Sequence, residues 1–360
     1  MCAVLCFTLL GQNDLNYDLS ADGPYIIYDS TEVQNIQVDR SGNLSITRYA
    51  SLPSKYTVHV ASHIGNHQFD VPLHALKRQN WKTETRDKIF VISDPHGDVD
   101  CFISILRGGK VIDSAYRWIF GKNCLVVIGD VFDRCDDVLP IYWLIYKLEA
   151  EAEAAGGQVT FVLGNHEEMV LKNDLRYVRS KYTRLADSLH RSYASLWTEN
   201  SELGRWLKTK NTIQVIGNNL FVHAGLSRDF FDKRFDIGMV NDTISAYLQK
   251  SSSERSASPT AKFLFGSNGP LWYRGMVLTN SKYKPVNNAD VDNILQFYSV
   301  QRIFVGHTIL DSPTGFYQNK VVGVNVENDE NRESEKARAI LIEGAKLRLV
   351  YDSGTSLDKF

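Results

Sequence analysis

Lys88-Ile89-Phe90-Val91-Ile92-Ser93-Asp94-Pro95-His96-Gly97-Asp98 passes directly from an unbroken apolar run into a cluster of carboxylates and an imidazole. A run that is apolar at successive positions, rather than alternate ones, suits a strand buried on both faces. Two similar runs follow, Leu125-Val-Val-Ile128 and Val159-Thr-Phe-Val-Leu163. Between the first two lies a helical pattern with Phe102, Ile105 and Leu106 on one face. Between the second and third, Val138, Ile141, Tyr142, Ile145 and Leu148 line one face of a longer helix, with Pro140 in its first turn and Gly156-Gly157 at its end. Strand, helix, strand, helix, strand in that order predicts a parallel sheet with right-handed crossovers and an α/β fold.

Further strands are expected at Leu220-Phe-Val222, Arg302-Ile-Phe-Val305, Val321-Val-Gly-Val324, Ala339-Ile-Leu-Ile342 and Leu347-Arg-Leu-Val350. Residues 167–210 read as helical, and residues 251–260 (SSSERSASPT) as a mobile surface loop. Residues 25–76 differ in character, with short β-like runs separated by turn residues such as Asp39-Arg-Ser-Gly-Asn43. They predict a small antiparallel module, in which His59, His63, His67 and His74 are surface or core histidines.

Composition limits the range of functions. At 360 residues, 43% hydrophobic and 23% charged, with 24 Gly and 9 Pro, the chain is neither collagen-like nor low-complexity. Forty basic and forty-two acidic side chains leave a formal charge of −2, so no global field draws it to nucleic acid or anionic lipid. No apolar run is long enough to span a bilayer. The five cysteines (Cys2, Cys6, Cys101, Cys124, Cys135) form no C-x-x-C pair and no disulfide scaffold. Residues 1–10 are apolar but lack a basic start and a small-residue cleavage site. A cytoplasmic location is slightly favoured over a periplasmic or secreted one, in which those residues would be a signal remnant.

Five polar motifs each stand just after an apolar strand: Asp94-Pro-His-Gly-Asp98, Gly129-Asp-Val-Phe-Asp-Arg134, Gly164-Asn-His-Glu167, His223-Ala-Gly225 and Gly306-His-Thr308. Ligands of open α/β sheets bind beyond the carboxyl ends of the strands, so these motifs bring Asp, His, Asp, Asn, His and His to one rim. That mixture of carboxylate, imidazole and amide oxygen suits a pair of Mn, Fe or Zn ions. Magnesium would call for mostly oxygen ligands and structural zinc for thiolates. Two such ions can activate a bridging water and clamp a phosphoryl oxygen, and phosphate-ester hydrolysis demands a device of that strength. Cys101-Phe-Ile-Ser-Ile-Leu-Arg107 matches the spacing of a cysteine-dependent phosphate loop, but its apolar residues read instead as the buried face of a helix.

Gly-Asp-x-x-Asp-Arg with Gly-Asn-His-Glu downstream resembles the PPP-type metallophosphatases of the calcineurin-like phosphoesterase superfamily. Within it the chain is similar to the bacterial Shewanella-like phosphatases, on Leu203-Gly-Arg-Trp-Leu207, Phe221-Val-His-Ala-Gly-Leu-Ser227 and Gly269-Pro-Leu-Trp-Tyr-Arg274. The resemblance spans roughly residues 87–350. It implies a calcineurin-like metallophosphoesterase fold, a central mixed β-sandwich flanked by helices, in residues 87–360, with residues 1–86 as a small N-terminal β-rich module. It also implies the site. Asp94 and His96 would bind one divalent ion, Asn165, His223 and His307 the other, and Asp130 would bridge them. His166 would protonate the leaving oxygen with Asp133 orienting it, while Arg134 and Arg274 would grip the phosphate. Two features depart from the family. Cys135 stands where Gly is usual after Asp-Arg, and Asn325 where Asp is frequent.

The activity so implied is a phosphomonoesterase, acting on phosphotyrosine or phosphoserine/threonine in a phosphoprotein, by direct attack of a metal-bridging water. A dinucleotide polyphosphate hydrolase with the same ligands is the alternative. A non-catalytic metal-binding scaffold is the alternative of another class, and retention of His166 and Asp133, which hold no metal in this scheme, tells against it. Oligomeric state is not legible in the sequence.

Overall fold

The computed structural model describes residues 18–358; the apolar stretch 1–10, with Cys2 and Cys6, lies outside the described residues. The N-terminal runs form two antiparallel sheets. One holds β1 (Asp22–Tyr28), β2 (Val33–Val38) and β3 (Leu44–Tyr49), the other β4 (Thr57–Ala61) and β5 (Gln68–Pro72). The two-residue β6 (Lys82–Thr83) follows, and then the three apolar strands β7 (Lys88–Ser93), β8 (Cys124–Ile128) and β9 (Gln158–Val162). These three are parallel and buried almost throughout, as their unbroken hydrophobicity requires. Helix α1 (Val99–Gly108) connects the first pair and α2 (Val138–Ala154) the second, while α3 (Asn165–Leu171) leaves β9.

The later strands are β10 (Ile213–Ile216), β11 (Asn219–Val222), β12 (Arg302–Val305), β13 (Thr314–Phe316), β14 (Val321–Gly323), β15 (Ala339–Glu343), β16 (Lys346–Val350) and β17 (Ser356–Asp358). They complete two mixed six-stranded sheets, ordered β17-β16-β15-β7-β8-β9 and β13-β14-β12-β11-β10-β6. The sheets pack face to face. Ile89, Val91, Val126 and Ile128 of the first share one buried cluster with Ile216, Phe221, Phe304 and Val322 of the second. The parallel crossover unit is therefore half of a sandwich, closed by antiparallel β15 on the outer side of β7.

Helix α2 is apolar on more than one face. Besides the expected stripe, Leu139, Trp143, Leu144 and Tyr146 are fully buried. The N-terminal module covers this second face. Trp143 Nε1 donates to Pro24 O at 3.0 Å, and the His74 ring lies 4.0 Å from that of Tyr146. His67 pins the same module to α1 and the loop after it, through Asp100 and the Tyr116 hydroxyl. Asp137 at the start of α2 accepts the main-chain N–H of His63 and Ile64 at 2.5 and 2.9 Å. Among the described residues no helix is long and apolar enough to cross a membrane.

Residues 251–260 differ from the expected loop. They begin two short helices, Ser252–Ala257 and Pro259–Leu264, each with a serine N-cap. A serine-rich run reads as a linker, but here the hydroxyls at Ser251 and Ser258 cap helices, and Arg255 is 5% exposed. Its guanidinium pairs with Glu168 of α3, donates to Tyr247 O at 3.0 Å and stacks 4.0 Å from the Phe265 ring. The stretch 167–210, expected to be helical, consists of short helical pieces broken by turns, with Ser180–Ser188 and Glu202–Lys208 the main ones after α3.

Arg255 thus anchors α3 from behind. Arg255→Ala should cost about 3 kcal/mol, because an unpaired buried carboxylate is worse than an apolar pair. The value lies at the low end of the range because Lys172 Nζ stays 3.1 Å from Glu168. Combining Arg255→Met with Glu168→Leu should recover most of the loss in urea unfolding. A single variant as stable as the wild type would show that the pair does not hold the helix.

Candidate metal and phosphate site

The carboxyl ends of β7, β8, β9, β11 and β12 open on one rim, and each turn there is unusually tight. Asp94, His96, Asp130, Asp133, Arg134 and His307 all have positive φ, between 44° and 73°. Non-glycine residues adopt that region rarely, and it is concentrated where function over-determines the backbone. Cys135 is not among them; the left-handed turn falls on the two residues before it, so its Cβ is tolerated. Glycine is needed where loops touch. A Cβ on Gly164 would stand 2.2 Å from Asp130 Oδ1, and one on Gly306 would stand 2.5 Å from Asp94 Oδ2. Main-chain bonds join the loops, from Asp94 N to Gly129 O (3.2 Å), His96 N to Asp130 O (3.0 Å) and Gly306 N to His223 O (2.7 Å).

Asp130, 1% exposed, is the centre of the arrangement. Its Oδ2 lies 3.2 Å from His223 Nε2, 3.8 Å from His166 Nε2 and 3.9 Å from His96 Nε2. Each imidazole is aimed by a bond at its other nitrogen: His96 Nδ1 to Phe132 O (2.8 Å), His223 Nδ1 to Ile128 O (3.0 Å) and His166 Nδ1 to Asp133 Oδ2 (2.5 Å). Asn165 Oδ1 lies 2.9 Å from His223 Nε2. Two donor groups share Asp130, one with His96 and His166 and one with His223 and His307. Asp94 is turned toward the second, its oxygens 3.1 and 3.2 Å from His307 N. Arg274 donates from Nη1 to His307 O at 2.9 Å. With Arg134 it lines a cavity of about 170 Å³ that also contains Asp94, His96, Asp130, His166 and His307.

Electrostatics follow from burial and from Asp130. Burial, with Asp130 beside it, pushes the Asp94 carboxyl up to about 7. Burial pulls the His96 imidazole down to about 3. Burial also opposes charge on His223 and His166, but the Asp130 carboxylate raises both, His223 to about 9. For His166 the Asp133 hydrogen bond adds to the rise.

The donors fit divalent ions. His307 Nε2 is buried with no hydrogen-bond partner, an arrangement a coordinated ion would satisfy. The set is nitrogen and oxygen without thiolate, as Mn, Fe or Zn would take. The rim thus brings together every residue expected from the sequence. Asn325 also lines the cavity, and its carbonyl accepts Leu310 N at 3.0 Å, so it supports the His307 loop through the backbone. Cys101 is buried on α1, and burial pushes its thiol up to about 12, which suits a packing residue rather than a nucleophile.

One residue of the motifs had no expected role. Glu167, fully buried, accepts Asp130 N and Val131 N at 2.9 Å, Gly164 N at 2.7 Å and the Tyr142 hydroxyl at 2.7 Å. The place of Glu167 three residues after Gly164, at the start of α3, was the available signal.

The chain is similar to proteins of known family. Residues 87–310 match the family described as calcineurin-like phosphoesterase. Shewanella-like protein phosphatase 2 of Arabidopsis thaliana is 24% identical over 287 residues, covering 68% of this chain and 72% of that protein. Shewanella-like protein phosphatase 1 of Plasmodium berghei (strain Anka) is 28% identical over 224 residues, 61% of each chain. The crystal structure of the cold-active protein-tyrosine phosphatase of a psychrophilic Shewanella species superposes with a TM-score of 0.84 at 31% identity, over 94% of this chain and 99% of that one.

Replacing Glu167 by Gln turns an NH₂ group toward N–H donors. Glu167→Gln should lower stability by about 1–3 kcal/mol and reduce metal retained after dialysis, because Asp130 loses its anchor. A variant that unfolds with the wild type and keeps its full metal content would show that the carboxylate is dispensable.

Proposed function

Because this chain belongs to the calcineurin-like phosphoesterase family, we propose that it is a metal-dependent phosphomonoesterase acting on phosphoproteins. The observation that carries the reading is the single rim on which buried metal-type donors around Asp130 adjoin a His166–Asp133 pair and two arginines. The names of the relatives in Arabidopsis, Plasmodium and Shewanella support a phosphoprotein as the substrate.

Asp94, His96, Asn165, His223 and His307 would hold two ions, with Asp130 within reach of both groups. When bound, divalent ions supply the positive charge that makes water nucleophilic at neutral pH and polarises a phosphoryl oxygen. The chain's own part is positioning and proton transfer. Arg134 and Arg274 grip phosphate oxygens with planar forks. His166 holds its proton between Asp130 and Asp133 and delivers it from Nε2 to the departing oxygen, the Nδ1 bond to Asp133 keeping the ring in that orientation. Asp133 is itself half-satisfied, since its Oδ1 is buried without a partner.

Metal removal with a strong chelator should abolish hydrolysis of a phosphopeptide, and added Mn, Fe or Zn should restore it. Elemental analysis should find two equivalents in the wild type and fewer in Asp130→Asn. A metal-free enzyme that remains active, or a loaded one that cleaves only dinucleotide polyphosphates, would overturn the reading. His166→Asn should slow alkyl phosphates more than nitrophenyl phosphate, within the roughly 10²–10⁴-fold usual for a general acid. Equal losses on both substrates would show that His166 does not protonate the leaving group.

A further inference from the structure

Tyr177 belongs to the turn between α3 and the helix Ser180–Ser188, and it is 50% exposed. Among the described residues six large hydrophobic side chains are exposed, between 42% and 52%, and two of them stand at the site, Ile309 in the wall of the cavity and Tyr177 beside His166. The Tyr177 ring centroid lies 5.5 Å from that of His166, tilted by 45°. Its other neighbours are the guanidinium of Arg134, 6.0 Å from the ring centroid, and that of Arg176, 5.7 Å away. The turn is held in place. Arg134 N donates to Tyr177 O at 3.3 Å, Val178 N to Leu175 O at 3.1 Å, and Arg176 forks onto Asp174 with two bonds of 2.8 Å.

These contacts bear on where the organic part of a substrate would run. With phosphate on Arg134 and the ester oxygen at His166 Nε2, the carbon bonded to that oxygen continues outward past the imidazole. An aromatic ring flanking both His166 and Arg134 lies beside that path. An alkyl ester such as phosphoserine places only one methylene there before its main chain begins. An aryl ester places a whole ring there, which can meet Tyr177 in the offset or edge-on geometry that aromatic pairs favour.

We propose that Tyr177 is a specificity-determining residue, packing against the phenyl ring of an aryl phosphate and biasing the enzyme toward phosphotyrosine over phosphoserine. The proposal rests on the phosphomonoesterase reading above. It is tested with two peptides of one sequence that differ only in carrying phosphotyrosine or phosphoserine, using the metal-loaded wild type, Tyr177→Ala and Tyr177→Phe. Tyr177→Ala should lower the phosphotyrosine-to-phosphoserine ratio of kcat/KM about three- to tenfold, mainly through KM, while Tyr177→Phe keeps the ratio within about twofold. Binding of phenylphosphonate relative to methylphosphonate, measured calorimetrically, should change in parallel. A ratio unchanged in Tyr177→Ala, or reduced equally in Tyr177→Phe, overturns the stacking role even if overall activity falls. A loaded wild type that hydrolyses neither peptide overturns instead the phosphatase reading on which the proposal stands.

Discussion

Four donors converge on the buried carboxylate of Glu167: the amides of Asp130, Val131 and Gly164 and the hydroxyl of Tyr142. Burial and the charge of Asp130 push its pKa up, while the donors, each presenting a hydrogen, favour the anion. Through this group the loop after β8, the start of α3 and the middle of α2 become one unit. Asp130 then has little freedom left, because its backbone is held by Glu167 and its Oδ1 accepts His166 N at 2.9 Å. Only its Oδ2 points toward the three imidazoles.

That constraint explains why so much strain is tolerated nearby. Left-handed backbone at six site residues is costly, of order 1–3 kcal/mol each. It persists because the surrounding structure leaves the loops no alternative. The rim loops bond to one another through main-chain groups and meet at glycines where no Cβ would fit. Preorganisation of this kind places donors before a substrate arrives, so reorganisation is not required during the reaction.

Rigidity at the rim depends in turn on what lies behind it. Helix α2 carries Tyr142 to Glu167 and is buried on both sides, by the sandwich and by the N-terminal module. Helix α3 carries Asn165 and His166 and is backed by Arg255 from a segment more than eighty residues further on. The two small N-terminal sheets, β1–β3 and β4–β5, and the capped serine-rich helices therefore support the site from behind. Tyr177 differs from them, being tethered through its backbone to Arg134 while its ring stays half open.

The amino-acid sequence by itself determined the parts that depend on neighbours along the chain. Unbroken apolar runs mark β7, β8 and β9, and the polar motif after each run marks the rim, because a strand buried on both faces must release its chain at one end of the sheet. It also separated the Cys101–Arg107 spacing from a phosphate loop, since Phe102, Ile105 and Leu106 can only be a helix face. What tertiary structure decided are relations between distant residues. Examples are the stacking of a second sheet on the first, the meeting of Asp94 with His307 across 213 positions, and the burial of Arg255 in a stretch that reads as a linker. The roles of Glu167 and Tyr177 belong there too. A carboxylate bonded to amides and a tyrosine at a surface turn have no periodicity of their own, and their meaning comes only from the groups that folding places around them.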